Sequence, residues 1–379
     1  MQKWGIPGGV VALVKDEKLV MAEGYGVADT AANTAVDATS LFRIASLSKP
    51  ITAVAVLKLV EQERLSLDGK AFVVLGDFLP TAGNAEDARL QDITIRDLLQ
   101  HSGGWDLNAR GFDPMFRSRE IAAAMGVPTP PDAATIVRYM IRQPLDFTPG
   151  TKYVYSNFGY CVLGRIIEKV TGKTYEAYLK EDILSAMGIS RMRIGKSLQA
   201  NRAQGEVAYY DYPGAPMASS VFTGGGESVP WPYGGFCLEA MDAHGGWIAS
   251  AVDLMRFVTA VDGGTVRPDV LKKATIDLMI SRPSLPDWQG TSSFYALGWS
   301  VRPTSGDANW WHTGKLPGTA TIIVRTYNKL AWAALFNSAP ADSDGFTSEL
   351  DNELWRAVNG ITSWPTADLF LNYSQVQIQ

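Results

Sequence analysis

The chain is expected to fold as an α+β protein. An antiparallel sheet built from both termini and flanked by helices would carry an inserted, mostly helical domain. Three observations support this. Residues 9–15 and 18–26 are β-rich runs on either side of Asp16-Glu17. Strand-like runs return only after about residue 290. Between them, from Leu65 to about Asp262, the apolar spacing is mostly helical. The expected division is a sheet domain of residues 1–64 and 263–379 and a helical domain of 65–262, with the active site between them.

In order along the chain, Asp16-Glu17 predicts a hairpin turn. Residues 46–63 predict a helix with Ala53, Val56, Leu57 and Val60 on one face and Pro50 in its first turn, where proline is tolerated. Residues 94–101 predict a short helix capped by Thr94. Residues 157–170 predict another, closed by Gly172. The Gly/Pro-rich stretch 212–235 has no periodicity and predicts a long surface loop. Residues 295–302, 319–327 and 329–337 predict strands, with Asn328-Lys329 as a tight turn, and residues 349–359 a closing helix.

Composition narrows the function. The 379 residues are 46% hydrophobic and 19% charged with a net charge of −5, which suits a globular protein and not a disordered chain. No basic stripe marks a nucleic-acid binder. Cys161 and Cys237 cannot build a disulfide framework and leave the redox compartment open. The most apolar helical run, 50–60, holds 11 residues including a lysine. A membrane span needs about 20. No apolar leader segment is visible at the start, so the expected compartment is periplasmic or secreted if a leader was removed and cytoplasmic otherwise.

Ser46-Leu-Ser-Lys49 places a hydroxyl and an amine three residues apart at a helix start, on one face and one turn apart. A serine hydroxyl needs a base to become a nucleophile, and lysine serves once desolvation has depressed its pKa. Alone, so short a pattern arises often by chance. Tyr155-Ser-Asn157 adds a phenol and a neutral amide just before the 157–170 helix, although Asn157 also suits a simple helix start. His312-Thr313-Gly314 lies on an expected strand and is followed by Lys315. Gly314 would let a substrate backbone lie along the strand edge and the next N–H reach an oxyanion; a β-bulge is the plainer alternative.

Ser46, Tyr155 and His312, in this order, resemble the serine β-lactamase and penicillin-binding-protein superfamily, whose signature is Ser-x-x-Lys, Tyr-x-Asn or Ser-x-Asn, then Lys-Thr-Gly or a variant. The Tyr-Ser-Asn form is similar to the class C β-lactamase branch, with its D-alanyl-D-alanine carboxypeptidase and family VIII carboxylesterase relatives. The resemblance runs along nearly the whole chain: Ile6-Pro-Gly8, Leu41-Phe-Arg-Ile-Ala45, Asp97-Leu-Leu-Gln-His-Ser-Gly103, Thr148-Pro-Gly150 and the segment from Gly245 to Asp253 all match family text. It implies a β-lactamase/transpeptidase-like fold and acyl transfer through Ser46. Lys49 and Tyr155 would share the proton work, with the choice of base open. Asn157 would orient the acyl amide, and Ser46 and Lys315 N–H groups would form the oxyanion hole. No metal or organic cofactor is implied. The expected partner is a small ester, peptide or β-lactam substrate, with no nucleic acid and no transmembrane segment. Relatives usually carry a helix before the first strand, and the sequence leaves open whether an N-terminal segment is missing.

The departures bear on substrate. Without the lysine of Lys-Thr-Gly, the site has less fixed positive charge for a carboxylate. His312 is expected to be largely neutral and Thr313 to offer a hydroxyl, while the Lys315 side chain points away from His312. Short-chain esters therefore rank ahead of β-lactams, with D-alanyl peptides competing. The alternative is a non-turnover penicillin-binding sensor or scaffold. His101 is expected to be a helix-end cation with a structural role, His244 a turn residue with pocket lining as the alternative, and the three histidines to be separate and not a metal site. Most tryptophans are expected in the core, while Trp231 and Tyr233 are candidates to line an apolar acyl pocket. Gly172-Lys-Thr174 lacks the glycine of a phosphate loop.

Overall fold

The computed structural model describes residues 1–79 and 87–373. Its main sheet has eight strands: β1 (Gly8–Lys15), β2 (Lys18–Asp29), β3 (Thr34–Ala35), β4 (Phe294–Tyr295), β5 (Ser300–Pro303), β6 (Ala308–Leu316), β7 (Thr319–Arg325) and β8 (Leu330–Phe336). The order is β3-β2-β1-β8-β7-β6-β5-β4, antiparallel throughout. β1 against β8 joins the two ends of the chain, with Gly9 opposite Phe336. Asp16 and Glu17 turn the first hairpin with φ 50 and φ 61, the left-handed values its tight connection requires.

β7 and β8 are buried along their whole length, because both faces of the sheet are covered. Alternate residues Ala320, Ile322, Val324, Trp332 and Ala334 form an outer core beneath helix α5 (Ser343–Asn359). Ile323, Ala331, Ala333 and Leu335 face the inner core with α1 (Ser48–Glu61) and α4 (Ala251–Thr259). α2 (Ile95–Leu99) and α3 (Asn157–Thr171) pack on each other in the intervening segment, and α3 also packs on α1. Thr94 and Asp97 form a capping box on α2, and Gly172 at φ 74 ends α3.

Several expectations change. The one-faced pattern for α1 gives way to burial nearly all round: every residue from Ser48 to Leu57 is buried, because α1 lies between sheet and helices. Residues 188–250 are largely irregular, with only short strands such as Arg193–Ile194 and Trp247–Ala249. The 212–235 loop contains a small hairpin pairing Ala218–Ser219 with Ser228–Val229. The 295–302 run splits into β4 and β5 around Gly298, whose φ is 87. The last helix begins earlier than expected because Asp342 caps the Gly345 N–H at 2.9 Å. Among the described residues, no helix is long and apolar enough to cross a membrane.

Candidate active site

Ser46 lies in the turn Ala45–Leu47 at the entrance to α1. The preceding segment is tightly anchored. Phe42 and Arg43 pair with Ala249 and Ile248, and the Ile44 N–H donates to the Trp247 carbonyl at 3.0 Å. The buried Arg43 guanidinium donates to the Pro232 and Lys196 carbonyls at 2.6 and 2.8 Å and stacks on Tyr209. Ala45 itself has φ 49, a left-handed conformation uncommon for alanine. That bend sets Ser46 at the foot of the helix.

One turn on, the fully buried Lys49 Nζ lies 3.0 Å from Ser46 Oγ, 2.7 Å from Asn157 Oδ1 and 3.0 Å from the His244 carbonyl oxygen. Burial drives its pKa well below the ordinary lysine value, against an opposing pull from the Asp113 carboxylate. A neutral amine has two N–H donors and one lone pair. As the ammonium, Lys49 donates to Asn157 Oδ1, the His244 carbonyl and Ser46 Oγ; once a proton is lost, the two acceptor-only partners keep the remaining donors and the lone pair turns to the Ser46 hydroxyl.

Asn157 opens α3, but Ser156 is its cap, accepting from the Gly159 N–H at 3.1 Å. This leaves the Asn157 side chain free for the site. Its Nδ2 donates to Asp113 Oδ2 at 2.6 Å, which fixes the amide with its oxygen toward Lys49. Asp113 is buried, and desolvation raises its pKa.

Tyr155 lies beside both groups. Lys49 Nζ is 4.7 Å from its ring centroid, and the Ser46 hydroxyl hydrogen-bonds with its phenol. Burial raises the Tyr155 pKa, so at neutral pH it is a phenol and not a phenolate.

His312, Thr313, Gly314 and Lys315 all lie on β6 as expected. His312 is buried between two partners: Nδ1 donates to the Thr313 carbonyl at 2.7 Å, so Nε2 accepts from the Tyr295 hydroxyl at 3.1 Å. Burial lowers its pKa to about 3. Gly314 has a structural demand of its own. A Cβ there would lie 2.2 Å from Thr321 Oγ1 and 2.5 Å from the Ile44 carbonyl oxygen, so the glycine lets β6 press against the Ser46 turn.

Thr313 also departs from expectation. It shares the outer face of β6 with Trp311 and Lys315, across the sheet from His312, and the three border a cavity of about 350 Å³ beneath α5. Main-chain direction matters here. β5 pairs with β6 only as far as Trp311, while the two-residue turn between Leu316 and Thr319 fixes which β6 groups bond to β7. The alternation directs the Thr313 and Lys315 N–H groups to the open edge.

One histidine expectation fails. His101 is no helix-end cation. It is 1% exposed, and burial drives its pKa well below the ordinary histidine value. Asp113, His101, Tyr295 and the His244 carbonyl are site components that local sequence reasoning missed. Asp113-Pro114 carries only a helix-start signal, which is also real, since Asp113 Oδ1 accepts from the Met115 N–H. The expected aromatic pocket is also altered: Tyr233 accepts from the Tyr209 N–H at 2.8 Å and packs near Arg43, and Trp231 is 38% exposed.

Fold and site together describe a serine hydrolase of the β-lactamase and penicillin-binding-protein type. The chain belongs to the β-lactamase family, whose model matches residues 1–353. It is 25% identical over 344 residues to a protein of Escherichia coli O157:H7 named "Putative D-alanyl-D-alanine carboxypeptidase", covering 84% of this chain and 76% of that one. It is 29% identical over 222 residues to "Probable fimbrial assembly protein FimD, serogroup H1" of Dichelobacter nodosus, covering 59% of this chain and about half, 49%, of that protein's length. The fold matches that of D-amino acid amidase from Ochrobactrum anthropi SV3 with a TM-score of 0.70, at 22% identity over 94% of each chain.

Proposed function

We propose that this protein hydrolyses esters or amides through an acyl-Ser46 intermediate, preferring leaving groups without a carboxylate, with short-chain esters ahead of D-alanyl peptides and β-lactams. The reaction would take place in a cleft between the sheet domain (1–64 and 263–379) and the helical domain (65–262). The observation that carries the reading is the buried Lys49 Nζ, 3.0 Å from Ser46 Oγ and held by two acceptor-only partners, Asn157 Oδ1 and the His244 carbonyl. Lys49 takes the Ser46 proton as Oγ bonds to the substrate carbonyl carbon. The Ser46 and Lys315 N–H groups stabilise the oxyanion. Tyr155, a phenol at rest, gives its proton to the leaving group and is reprotonated from the Lys49 ammonium. Water then attacks the acyl-enzyme, releasing the acid and restoring the Ser46 hydroxyl.

The substrate ranking is supported by the third motif. His312 is neutral with both ring nitrogens engaged, and Lys315 lies on the outer face of the sheet, so neither supplies a cation for a carboxylate. The relatives' names include peptide- and amide-directed activities, which keeps D-alanyl substrates in the comparison.

The test is a panel of 4-nitrophenyl butyrate, a D-alanyl-D-alanine peptide and a chromogenic cephalosporin, on wild type and Ser46→Ala, with intact-mass measurement. Ester turnover that Ser46→Ala abolishes, with a transient adduct, supports the proposal. Cephalosporin turnover exceeding ester turnover would overturn the ranking. A permanent adduct without turnover would identify a penicillin-binding sensor instead.

A further inference from the structure

We propose that His101 is the positioning residue for Tyr155, and that its Nδ1 acceptor is the feature the site requires. The inference rests on the reading of Tyr155 as the leaving-group acid. His101 grips the chain on both sides of that tyrosine. Its carbonyl accepts from the Val154 N–H at 2.8 Å, and its ring Nδ1 accepts from the Ser156 N–H at 3.1 Å. The imidazole lies against the phenol ring, with centroids 4.3 Å apart. One residue thus holds the backbone N–H groups of Val154 and Ser156, the two neighbours of Tyr155, and one face of its ring.

The surrounding structure fixes His101 in turn. α2 is locked by its capping box and delivers the residue in a left-handed conformation, φ 60. Tyr295 and Tyr160 enclose the ring at 4.6 and 5.1 Å. Tyr160 is tied to the same segment through the Leu99 carbonyl, 2.9 Å away.

Packing alone does not account for a histidine here. With Nδ1 accepting, the neutral ring carries its proton on Nε2, and that buried nitrogen has no hydrogen-bond partner among the described residues. An unmatched buried donor is unfavourable, and a phenylalanine would fill the same space without one. Nor does the backbone require it, since glycine adopts positive φ more readily and asparagine tolerates it as well. What histidine adds is an acceptor at the Ser156 N–H on a rigid ring held against Tyr155. The His101 ring accepts from the Ser156 N–H and lies against the Tyr155 ring, so it acts through the tyrosine.

The experiment compares 4-nitrophenyl and ethyl esters of the same acid, since an ethoxide leaving group needs a proton and a nitrophenolate hardly does. Tyr155→Phe sets the scale. His101→Phe, which keeps the ring and removes the acceptor, lowers kcat for the ethyl ester roughly tenfold more than for the nitrophenyl ester, within the range for loss of general acid catalysis. His101→Asn, which keeps an acceptor at the Nδ1 position and tolerates φ 60, restores the ratio to within about threefold of wild type. An unchanged ratio in His101→Phe, or an Asn variant no better than the Phe variant, overturns the proposal. Should His101→Phe fail to fold, His101→Asn decides alone: a ratio near wild type supports the proposal and one near Tyr155→Phe overturns it. If Tyr155→Phe itself leaves the ratio unchanged, the reading of Tyr155 as the acid has failed, and the proposal fails with it.

Discussion

Gly314 and Ile44 approach so closely that a single added methyl on Gly314 would lie 2.5 Å from the Ile44 carbonyl oxygen. The same carbonyl accepts from Thr321 Oγ1 at 2.9 Å, so β6, β7 and the turn bearing Ser46 form one packed unit. Gly314→Ala must push β6 away from that turn, carrying the Lys315 N–H with it. The expected outcome is a loss of kcat/KM for a nitrophenyl ester of roughly 100-fold, in line with loss of one oxyanion donor. A variant that is folded by circular dichroism and retains full activity would separate β6 from the oxyanion role.

Lys49 is expected to sacrifice stability for chemistry. Its folded-state pKa lies below the ordinary lysine value, so between those two pKa values the unfolded chain binds a proton that the native protein does not. Unfolding is favoured by that difference, which shrinks as pH rises toward the unfolded value. Lys49→Met removes it. The variant should lose acylation about 10²- to 10⁴-fold and yet melt at a higher temperature at neutral pH, with weaker stabilisation on going from pH 7 to 9. Lys49→Arg should be both inactive and less stable, because a guanidinium stays charged in the same buried position. Calorimetry and ester kinetics on the two variants check both halves; a less stable Lys49→Met would count against a desolvated amine.

Elements with local signals were legible from the sequence. Asp16-Glu17 specifies its hairpin, Thr94 and Asp97 their capping box, and Gly172 its helix end through short-range chemistry. Ser46 and Lys49 share a helix face, so their approach follows from spacing alone. The convergence of Tyr155 on them follows from no spacing, only from the family resemblance. What stayed hidden depends on tertiary contact. Asp113 looks like an ordinary helix start until α3 brings Asn157 to it. His101 looks like a helix-end cation until the rings of Tyr155, Tyr160 and Tyr295 close around it and exclude the charge. Thr313 was misassigned for a simpler reason: strand alternation, applied to Lys315, equally places Thr313 opposite His312.

The neutral histidines should make the protein acid-sensitive. His312 has a folded-state pKa of about 3, and burial lowers His101 and His244 as well. Below the ordinary histidine pKa of about 6.5, the unfolded chain takes up protons that the native protein refuses. The stability these groups provide is therefore present above about pH 6.5 and lost as pH falls toward the folded-state value. At pH 5 a single such histidine accounts for about 2 kcal/mol. Urea unfolding at pH 7 and pH 5 should show a loss in wild type that His312→Gln reduces by about that amount. An identical loss in the variant would mean that His312 is protonated in the native protein.

Asp113 gives the sharpest test of how Lys49 is kept ready. Its carboxylate favours the ammonium form of Lys49 while orienting Asn157 to receive a Lys49 N–H. These two effects separate by substitution. Asp113→Asn removes the charge but retains an oxygen that can accept from Asn157 Nδ2, so the amide keeps its orientation and the Lys49 pKa falls further. The acid limb of the pH profile for kcat/KM, which reports the base in the free enzyme, should then move to lower pH. Asp113→Ala removes both effects. With nothing to hold its orientation, the Asn157 amide can turn its NH₂ toward Lys49, where it competes for the lone pair that Ser46 needs. Asp113→Ala should therefore lose roughly ten- to 100-fold in kcat, with the acid limb also displaced downward. A limb that moves upward in Asp113→Asn would reverse the sign of the coupling and with it the assignment of Lys49 as the base.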